Sequence, residues 1–201
     1  MDILWPESEG DLAHRAFKST LHRLRSIAGI EKAISFQGNK VTLDARCFWV
    51  DIWAFGRILG KADAALRESD KEKAIHLIEK AVALYQGPFL SGEEAAPWDA
   101  AIRKRLRSKF IRYAGELGHL YEEKGEHKKA IHAFKRGIEA DALAEEFYRR
   151  LMTCYLSLGR RAEALAVYND LKKTLSAILG VGPSPQTEAL YRRIMMEREG
   201  R

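Results

Sequence analysis

The chain has 201 residues, and its 34 lysines and arginines against 28 aspartates and glutamates give a formal net charge of +6. With 46% hydrophobic and 31% charged residues it has the composition of one or two folded domains with buried cores. No apolar run reaches membrane-spanning length and no signal-peptide pattern opens the chain, so we expect a cytoplasmic protein with no membrane partner. Cys47 and Cys154 are too few for a disulfide framework or a zinc knuckle, and we expect two reduced, buried thiols.

The first predicted element is an amphipathic helix over about residues 12–28, capped by Asp11 and ended by Gly29. Its apolar positions recur at helical spacing and predict a buried stripe. That stripe consists of Ala13, Phe17, Leu21, Leu24 and Ile27. The rest of the helix surface is polar and basic, because no acidic residue occurs between Asp11 and Glu31.

Two short strands are predicted after this helix, at residues 33–36 and 40–43, with Gln37-Gly38-Asn39 as the turn between them. A helix followed by a small β-hairpin with a polar tip is the second half of a winged helix. In such folds the helix enters the major groove of DNA and the hairpin contacts the backbone or the minor groove.

From Asp51 onward the pattern predicts helices in pairs. They cover about residues 51–67, 70–85, 98–124, 127–140, 144–158, 162–179 and 185–198, with an irregular connector at 86–97. We expect the last helix to cap the array, because an uncapped end would expose apolar residues. A run without acidic residues between Asp99 and Glu116 is interpreted as a solvated basic surface.

Residues 111–179 hold two copies of one helical hairpin, 34 positions apart. The matching pairs are Leu117 and Leu151, Gly118 and Met152, Tyr121 and Tyr155, Gly125 and Gly159, Ala130 and Ala164, and Phe134 and Tyr168. The first copy resembles the tetratricopeptide (TPR) signature at its own period. We expect Gly125 and Gly159 to end helices with positive φ, and the aromatic residues to fill the seams between hairpins. Ala74, Ile78 and Ala81 indicate a degenerate hairpin before these two.

Further segments resemble the SARP-like bacterial transcriptional activators. Leu4-Trp5-Pro6, Leu21-His22-Arg23-Leu24-Arg25 and the hairpin resemble the end of an OmpR-type winged helix. Residues 49–55, 85–90 with Trp98, and 180–185 with 191–194 resemble the bacterial transcriptional activator domain. The resemblance covers essentially the whole chain. It implies a mainly α fold, in which a partial winged helix of one helix plus a β-hairpin precedes a TPR-like helical-hairpin array.

The resemblance also implies two domains, the end of a winged helix at residues 1–46 and a TPR-like activator domain at 47–201. The family's winged helix begins with a sheet and two helices that would precede Leu4, so we expect a DNA-binding domain truncated at its N-terminus. Its function would be that of a DNA-binding transcriptional activator.

The candidate DNA-binding residues come from the predicted helix and wing. We assign Arg15, Lys18, Ser19 and His22 to the groove, Arg23 and Arg25 to phosphates, and Asn39 and Lys40 to the wing. The alternative is an amphipathic helix with a solvated basic face, in a TPR-type scaffold that does not bind DNA itself. The expected partners are DNA through the complete winged helix, a protein such as the transcription machinery or a sister domain, and a second copy of the chain.

Motifs of enzymatic chemistry are missing from the sequence. It contains no phosphate-binding G-x-x-x-x-G-K-[ST], no G-x-G-x-x-G, no H-E-x-x-H and no G-x-S-x-G. His119, His127 and His132 fall near one hairpin, but structural or surface roles are favoured over metal binding. We therefore expect a non-enzyme with no cofactor, no metal site and no catalytic residues.

Overall fold

The computed structural model describes residues 10–29, 33–37, 40–91 and 98–196. Leu4-Trp5-Pro6, the centre of the predicted hairpin turn at 38–39, and the connector residues 92–97 lie outside this part. The chain divides into two compact units, Met1–Gly56 and Arg57–Arg201. The domain limits 1–46 and 47–201 remain a prediction from the sequence.

The described residues form eight helices and two strands. In chain order these are α1 (Gly10–Ala28), β1 (Ile34–Gln37), β2 (Lys40–Leu43), α2 (Asp51–Arg67), α3 (Lys71–Leu84), α4 (Ala100–Glu123), α5 (His127–Ala140), α6 (Glu145–Ser157), α7 (Arg161–Leu179) and α8 (Pro185–Met196). The predicted mainly helical fold with one small hairpin is confirmed. None of the helices in the described ranges is both long enough and apolar enough to cross a lipid bilayer.

The hairpin of the first unit has one apolar face, which contacts α1 through Phe36. In its antiparallel register Ile34 lies opposite Leu43, and Phe36 lies opposite Val41. Alternate residues of a strand point to the same side, so these four side chains share a face. The ring of Phe36 contacts that of Phe17 on α1, with centroids 4.7 Å apart.

The predicted apolar stripe of α1 is only partly buried. Ala13 and Leu21 are buried, whereas Leu24 is 47% exposed and Ile27 is 83% exposed. The prediction was wrong for these two although they face the same side of the helix as the buried Ala13 and as Phe17, so the stripe is covered along only part of its length. On the other side of Leu21, Arg25 donates from Nε to the Ile34 carbonyl at 2.9 Å.

The two predicted copies are the hairpins α4–α5 and α6–α7, and both turn in the same way. Gly125 and Gly159 have φ of +71° and +69°, in the left-handed region where glycine is favoured. The next amide donates back to a carbonyl five residues earlier, Glu126 to Tyr121 and Arg160 to Tyr155, each at 2.8 Å. The predicted glycine helix ends are therefore confirmed.

The turn between α2 and α3 repeats this geometry without a glycine. Ser69 has φ of +59°, and the amide of Asp70 donates to the carbonyl of Ala65 at 2.9 Å. The Asp70 carboxylate then accepts from the amide of Lys73 at 3.1 Å and caps α3. The predicted degenerate hairpin is confirmed. Its expected small and apolar positions, Ala74, Ile78 and Ala81, are all 0% exposed.

Two phenylalanine rings rest directly on glycine backbone where α4, α5 and α6 meet. A Cβ on Gly118 would lie 2.2 Å from Cε1 of Phe134, and a Cβ on Gly137 would lie 2.3 Å from Cε2 of Phe147. Phe134 is fully buried, and its ring centroid lies 5.9 Å from that of Phe147. Any larger residue at either glycine would displace a ring that fills the core.

The last helix covers the end of the array. The carboxylate of Glu145 on α6 accepts hydrogen bonds from the amide of Ser184 at 2.8 Å and from its hydroxyl at 2.5 Å. It also accepts from the hydroxyl of Thr187 in the first turn of α8. Farther along, Tyr168 of α7 stacks on Tyr191 with ring centroids 4.0 Å apart. These contacts hold α8 against both helices of the preceding hairpin, as expected of a cap.

The glycine–ring contact predicts opposite effects for two alanine substitutions. Gly118→Ala should lower the free energy of unfolding by about 1–3 kcal/mol, because the new methyl group overlaps the Phe134 ring. Gly60→Ala in α2 should raise it by about 0.5–1 kcal/mol, because its Cβ meets nothing within 4 Å and alanine favours the helix. Urea unfolding followed by circular dichroism measures both. Equal effects would contradict the seating of Phe134 on Gly118.

The Glu145 contact predicts a pH dependence of stability. Burial raises the pKa of the Glu145 carboxyl, but the hydrogen bonds from Ser184 and Thr187 outweigh it and bring the pKa below its ordinary 4.5. The carboxylate therefore stabilises the fold fully above pH 4.5, and this contribution is lost as the pH falls through the lower folded-state pKa. Glu145→Gln should cost about 1.5–3 kcal/mol at neutral pH.

The same variant provides the acid comparison. Urea unfolding below pH 4.5 should show the stabilities of wild type and Glu145→Gln converging. A constant difference across this range would show that the Glu145 charge does not hold α8.

Candidate nucleic-acid interface

The exposed face of α1 brings together most of the predicted DNA-binding residues. Arg15, Lys18, Ser19, His22 and Arg23 are all exposed on this helix. At about 100° per residue they occupy a sector of about 140° on the helix surface. From Arg15 to Arg23 the sector contains no acidic residue, so its electrostatic potential is positive.

Packing on the opposite side fixes the direction of this face. Ala13 and Leu21 are 3% and 7% exposed, and Phe17 lies against the ring of Phe36. The basic side chains therefore point to solvent because the apolar ones are held by the hairpin. A surface whose orientation is fixed by its own support is suited to bind a rigid partner.

Arg25 differs from the other basic residues of α1. Its side chain is half-buried, and its Nε donates to the carbonyl of Ile34 at 2.9 Å. It therefore connects the helix to the first strand of the hairpin. Its assignment to a phosphate stays a prediction, and what the geometry gives it is a positioning role.

An open groove of about 540 Å³ separates α1 from β1. Its lining is largely polar and includes His22 and Ser26 from the helix and Ser35 and Gln37 from the strand. Since His22 also belongs to the exposed basic face, the groove borders that face.

The hairpin adds a small positive charge of its own. Lys40 is exposed and pairs in register with Gln37, whereas Asn39 lies outside the described residues. Beyond β2, Arg46 donates to the carboxylate of Asp44 at 2.7 Å, and this hydrogen bond lowers the pKa of Asp44 to about 2. Asp44 is therefore charged at neutral pH and balanced by Arg46, so Asp44 does not offset the charge of Lys40.

Two exposed polar residues of the first unit are absent from the predicted site residues. Ser26 follows Ser19 by seven residues and Arg23 by three, so its helical spacing places it on the same face. Arg46, whose side chain is 89% exposed, lies beyond the hairpin. No sequence pattern predicts the position of Arg46, because that position depends on the turn at 45–47 and on the pairing of Arg46 with Asp44.

Cys154 and His119 both contact Glu122 in a polar cluster of the helical array. The buried Cys154 thiol donates to Glu122 at 3.3 Å, and burial, together with that carboxylate, raises its pKa to about 12. Nδ1 of His119 lies 3.2 Å from the other Glu122 oxygen. Cys47, in contrast, is exposed because it lies in the turn after the hairpin, so the prediction that it is buried was wrong. Among the described residues, no group of three His, Cys, Asp or Glu side chains could hold a metal ion.

Two proteins with related sequences are regulators by name. The regulatory protein AfsR of Streptomyces griseus is 29% identical over 199 residues, which is 99% of this chain and 20% of AfsR. The transcriptional regulator RedD of Streptomyces coelicolor is 26% identical over 210 residues, which covers 96% of this chain and 56% of RedD. The chain thus spans about a fifth of the length of AfsR and just over half of that of RedD.

A solved structure has the same fold over nearly all of the chain. Mycobacterium tuberculosis EmbR, solved in complex with a low-affinity phosphopeptide, superposes with a TM-score of 0.71 at 21% identity. The match covers 98% of this chain and 53% of EmbR. The family model of the bacterial transcriptional activator domain matches residues 50–195, well over half of the sequence. On this evidence the protein belongs to the bacterial transcriptional activator domain family.

Proposed function

We propose that this protein is a DNA-binding transcriptional regulator that activates transcription. In this proposal α1 and the hairpin, as the end of a winged helix at residues 1–46, contact DNA. The helical array at 47–201 supports activation. The observation that carries the proposal is the outward-facing basic side of α1, held by a hairpin, in a chain of an activator family. Such a regulator is not an enzyme, and it works in the bacterial cytoplasm, where the chromosome lies.

The contacts of α1 follow from the size and chemistry of DNA grooves. The major groove is wide enough for a helix, and base edges there accept and donate hydrogen bonds. The helix offers side-chain hydrogen-bond donors of different lengths, from Arg15, Lys18, Ser19 and His22. Arg23, at the margin of the sector, would contact phosphates, which position the protein without specifying the sequence. Lys40, together with Asn39, would serve as the wing contact.

The helical array gives the regulator a surface for other proteins. Stacked helical hairpins expose long concave and convex faces, and such arrays serve many unrelated partners. The partners we propose are the transcription machinery or sister domains of the same regulator, and a second copy of the chain. The alternative function is a scaffold in which the array alone acts and α1 is a solvated helix.

The proposal predicts that removing one phosphate-binding charge from α1 reduces the salt dependence of DNA binding. Arg23→Ala should lower the slope of log binding constant against log salt by about 0.9 units, the value for one phosphate contact. Fluorescence anisotropy with duplexes from the gene's own promoter region measures this. The protein tested is this chain and, alongside it, a version extended by any upstream residues that the gene encodes.

The matched control for this variant is Lys80→Ala. Lys80 is exposed on α3, and its charge loss should leave the slope unchanged. If Arg23→Ala binds DNA like the control, α1 is not the DNA contact. If neither version of the protein binds any promoter duplex, the scaffold alternative is favoured.

The positioning role of Arg25 predicts a local effect that a phosphate contact would not produce. Arg25→Lys keeps the charge but removes the Nε donor to Ile34, which should cost roughly 0.5–1.5 kcal/mol of local stability. Amide hydrogen exchange of β1 and β2 should accelerate accordingly. Arg23→Lys is the control and should leave these amides unchanged. Unchanged exchange in both variants would show that Arg25 does not hold the hairpin.

A further inference from the structure

The N-terminal half of α4 carries a second basic surface, in the unit that the DNA-binding proposal does not use. Between Asp99 and Glu116 the chain has six basic residues and no acidic ones. The six are Arg103, Lys104, Arg105, Arg107, Lys109 and Arg112. The sequence pattern predicts a solvated surface, and in the structure the six residues differ in whether they pair with a carboxylate.

Three of the six are held by carboxylates of the same unit. Arg103 pairs with the buried Asp99 at 2.8 Å, and Arg107 pairs with Asp141 at 3.0 Å. Arg112 pairs with Asp63 of α2 at 3.0 Å, but its side chain is 67% exposed. An exposed pair of this kind contributes little to stability, so Arg112 is readily available to another anion.

The other three have no such contact. Lys104, Arg105 and Lys109 are exposed and make no ion pair or hydrogen bond with any residue in the described ranges. Arg105, Lys109 and Arg112 follow each other at spacings of four and three residues, so they line one side of the helix, with Lys104 on its flank. These four residues are called the α4 basic face. Neighbouring positions of its row are about 4.5–6 Å apart along the axis.

The position of the α4 basic face within the helix adds to its positive potential. The N-terminal end of a helix carries a partial positive charge, and α4 has no acidic residue in its first turn to offset it. Asp99, just before the helix, makes no capping hydrogen bond and is 2% exposed, so its charge is shielded by Arg103. The nearest acidic residue along the helix is Glu116, one turn beyond Arg112.

The α4 basic face lacks what a protein partner would need. Stable protein interfaces depend on buried aromatic or apolar anchors, and lysine is depleted from them. The exposed residues of α4 from Ala100 to Arg112 are alanine, serine, lysine or arginine. Trp98, which is 41% exposed, precedes the helix. Phosphates require only positive charge and donors at the surface, which this face supplies.

We propose that the α4 basic face is a second nucleic-acid contact, which binds phosphates of the DNA backbone without reading sequence. The inference rests on the proposed function, because it assumes that DNA is the polyanion this chain meets. It adds a contact from the TPR-like unit to that made by α1. A contact of this type raises affinity for all duplexes equally and leaves the preference between sequences unchanged.

The test removes the three unpaired charges together, as Lys104→Ala, Arg105→Ala and Lys109→Ala in one variant. Since none of them holds another described residue, melting followed by circular dichroism should match wild type. In anisotropy titrations with promoter and unrelated duplexes of equal length, the salt slope should fall by about 2.7 units for three lost phosphate contacts. Affinity should fall by the same factor on both duplexes.

The charge-matched control is a triple variant elsewhere in the same unit, Lys80→Ala, Lys128→Ala and Lys173→Ala, all of them exposed. It should retain the wild-type slope. A basic-face variant that behaves like this control overturns the inference, and if Arg23→Ala still lowers the slope, the proposed function stands. Loss of binding to a labelled poly-glutamate peptide with DNA binding unchanged would also overturn it, by assigning the face to an acidic protein segment.

Discussion

The contact of two phenylalanine rings with glycine backbone sets the geometry of the helical array. Phe134 occupies the space over Gly118, and Phe147 occupies the space over Gly137 and comes within 3.5 Å of a Cβ position on Gly115. Because these rings are nearly or completely excluded from solvent, three consecutive helices are locked at one spacing. Close packing of this kind leaves little freedom for sliding, so the outer faces of the helices are presented at fixed positions.

The helix α4 has two halves with different physical tasks. Its C-terminal half supplies Leu117, Gly118 and Tyr121 to the core, whereas its N-terminal half keeps its apolar residues on one side and cations on the others. In the basic half the buried row continues through Leu106 and Phe110, and the cations lie on the exposed sides. A similar division occurs in α1, where Leu21 and Phe17 attach the helix and the opposite side remains polar. In both helices a buried apolar row makes an exposed charged row possible.

Much of this structure followed from periodicity, because a buried row repeats with the pitch of its helix. The pairs at 34 positions, Gly125 with Gly159 and Ala130 with Ala164, fixed the hairpins correctly. The exposure of Ile27 and the donor role of Arg25 could not be predicted, because both depend on how the hairpin packs along and around α1. The same holds for Arg46, whose partner is chosen by a turn. Periodicity identifies an apolar or a basic row, but only tertiary packing decides which residues of that row are buried or paired.

The turn at Ser69 changes how many building blocks this array contains. Its backbone has the same handedness and the same closing hydrogen bond as the turns at Gly125 and Gly159, although its side chain differs. A count based on glycine would therefore find two modules, whereas the backbone of the described residues shows a third ahead of them. Three modules and a terminal cap reach the size at which solenoids become self-supporting. Helices α2 to α8 thus provide the smallest number of hairpins with which such an array is stable, so the loss of any one hairpin would leave too few.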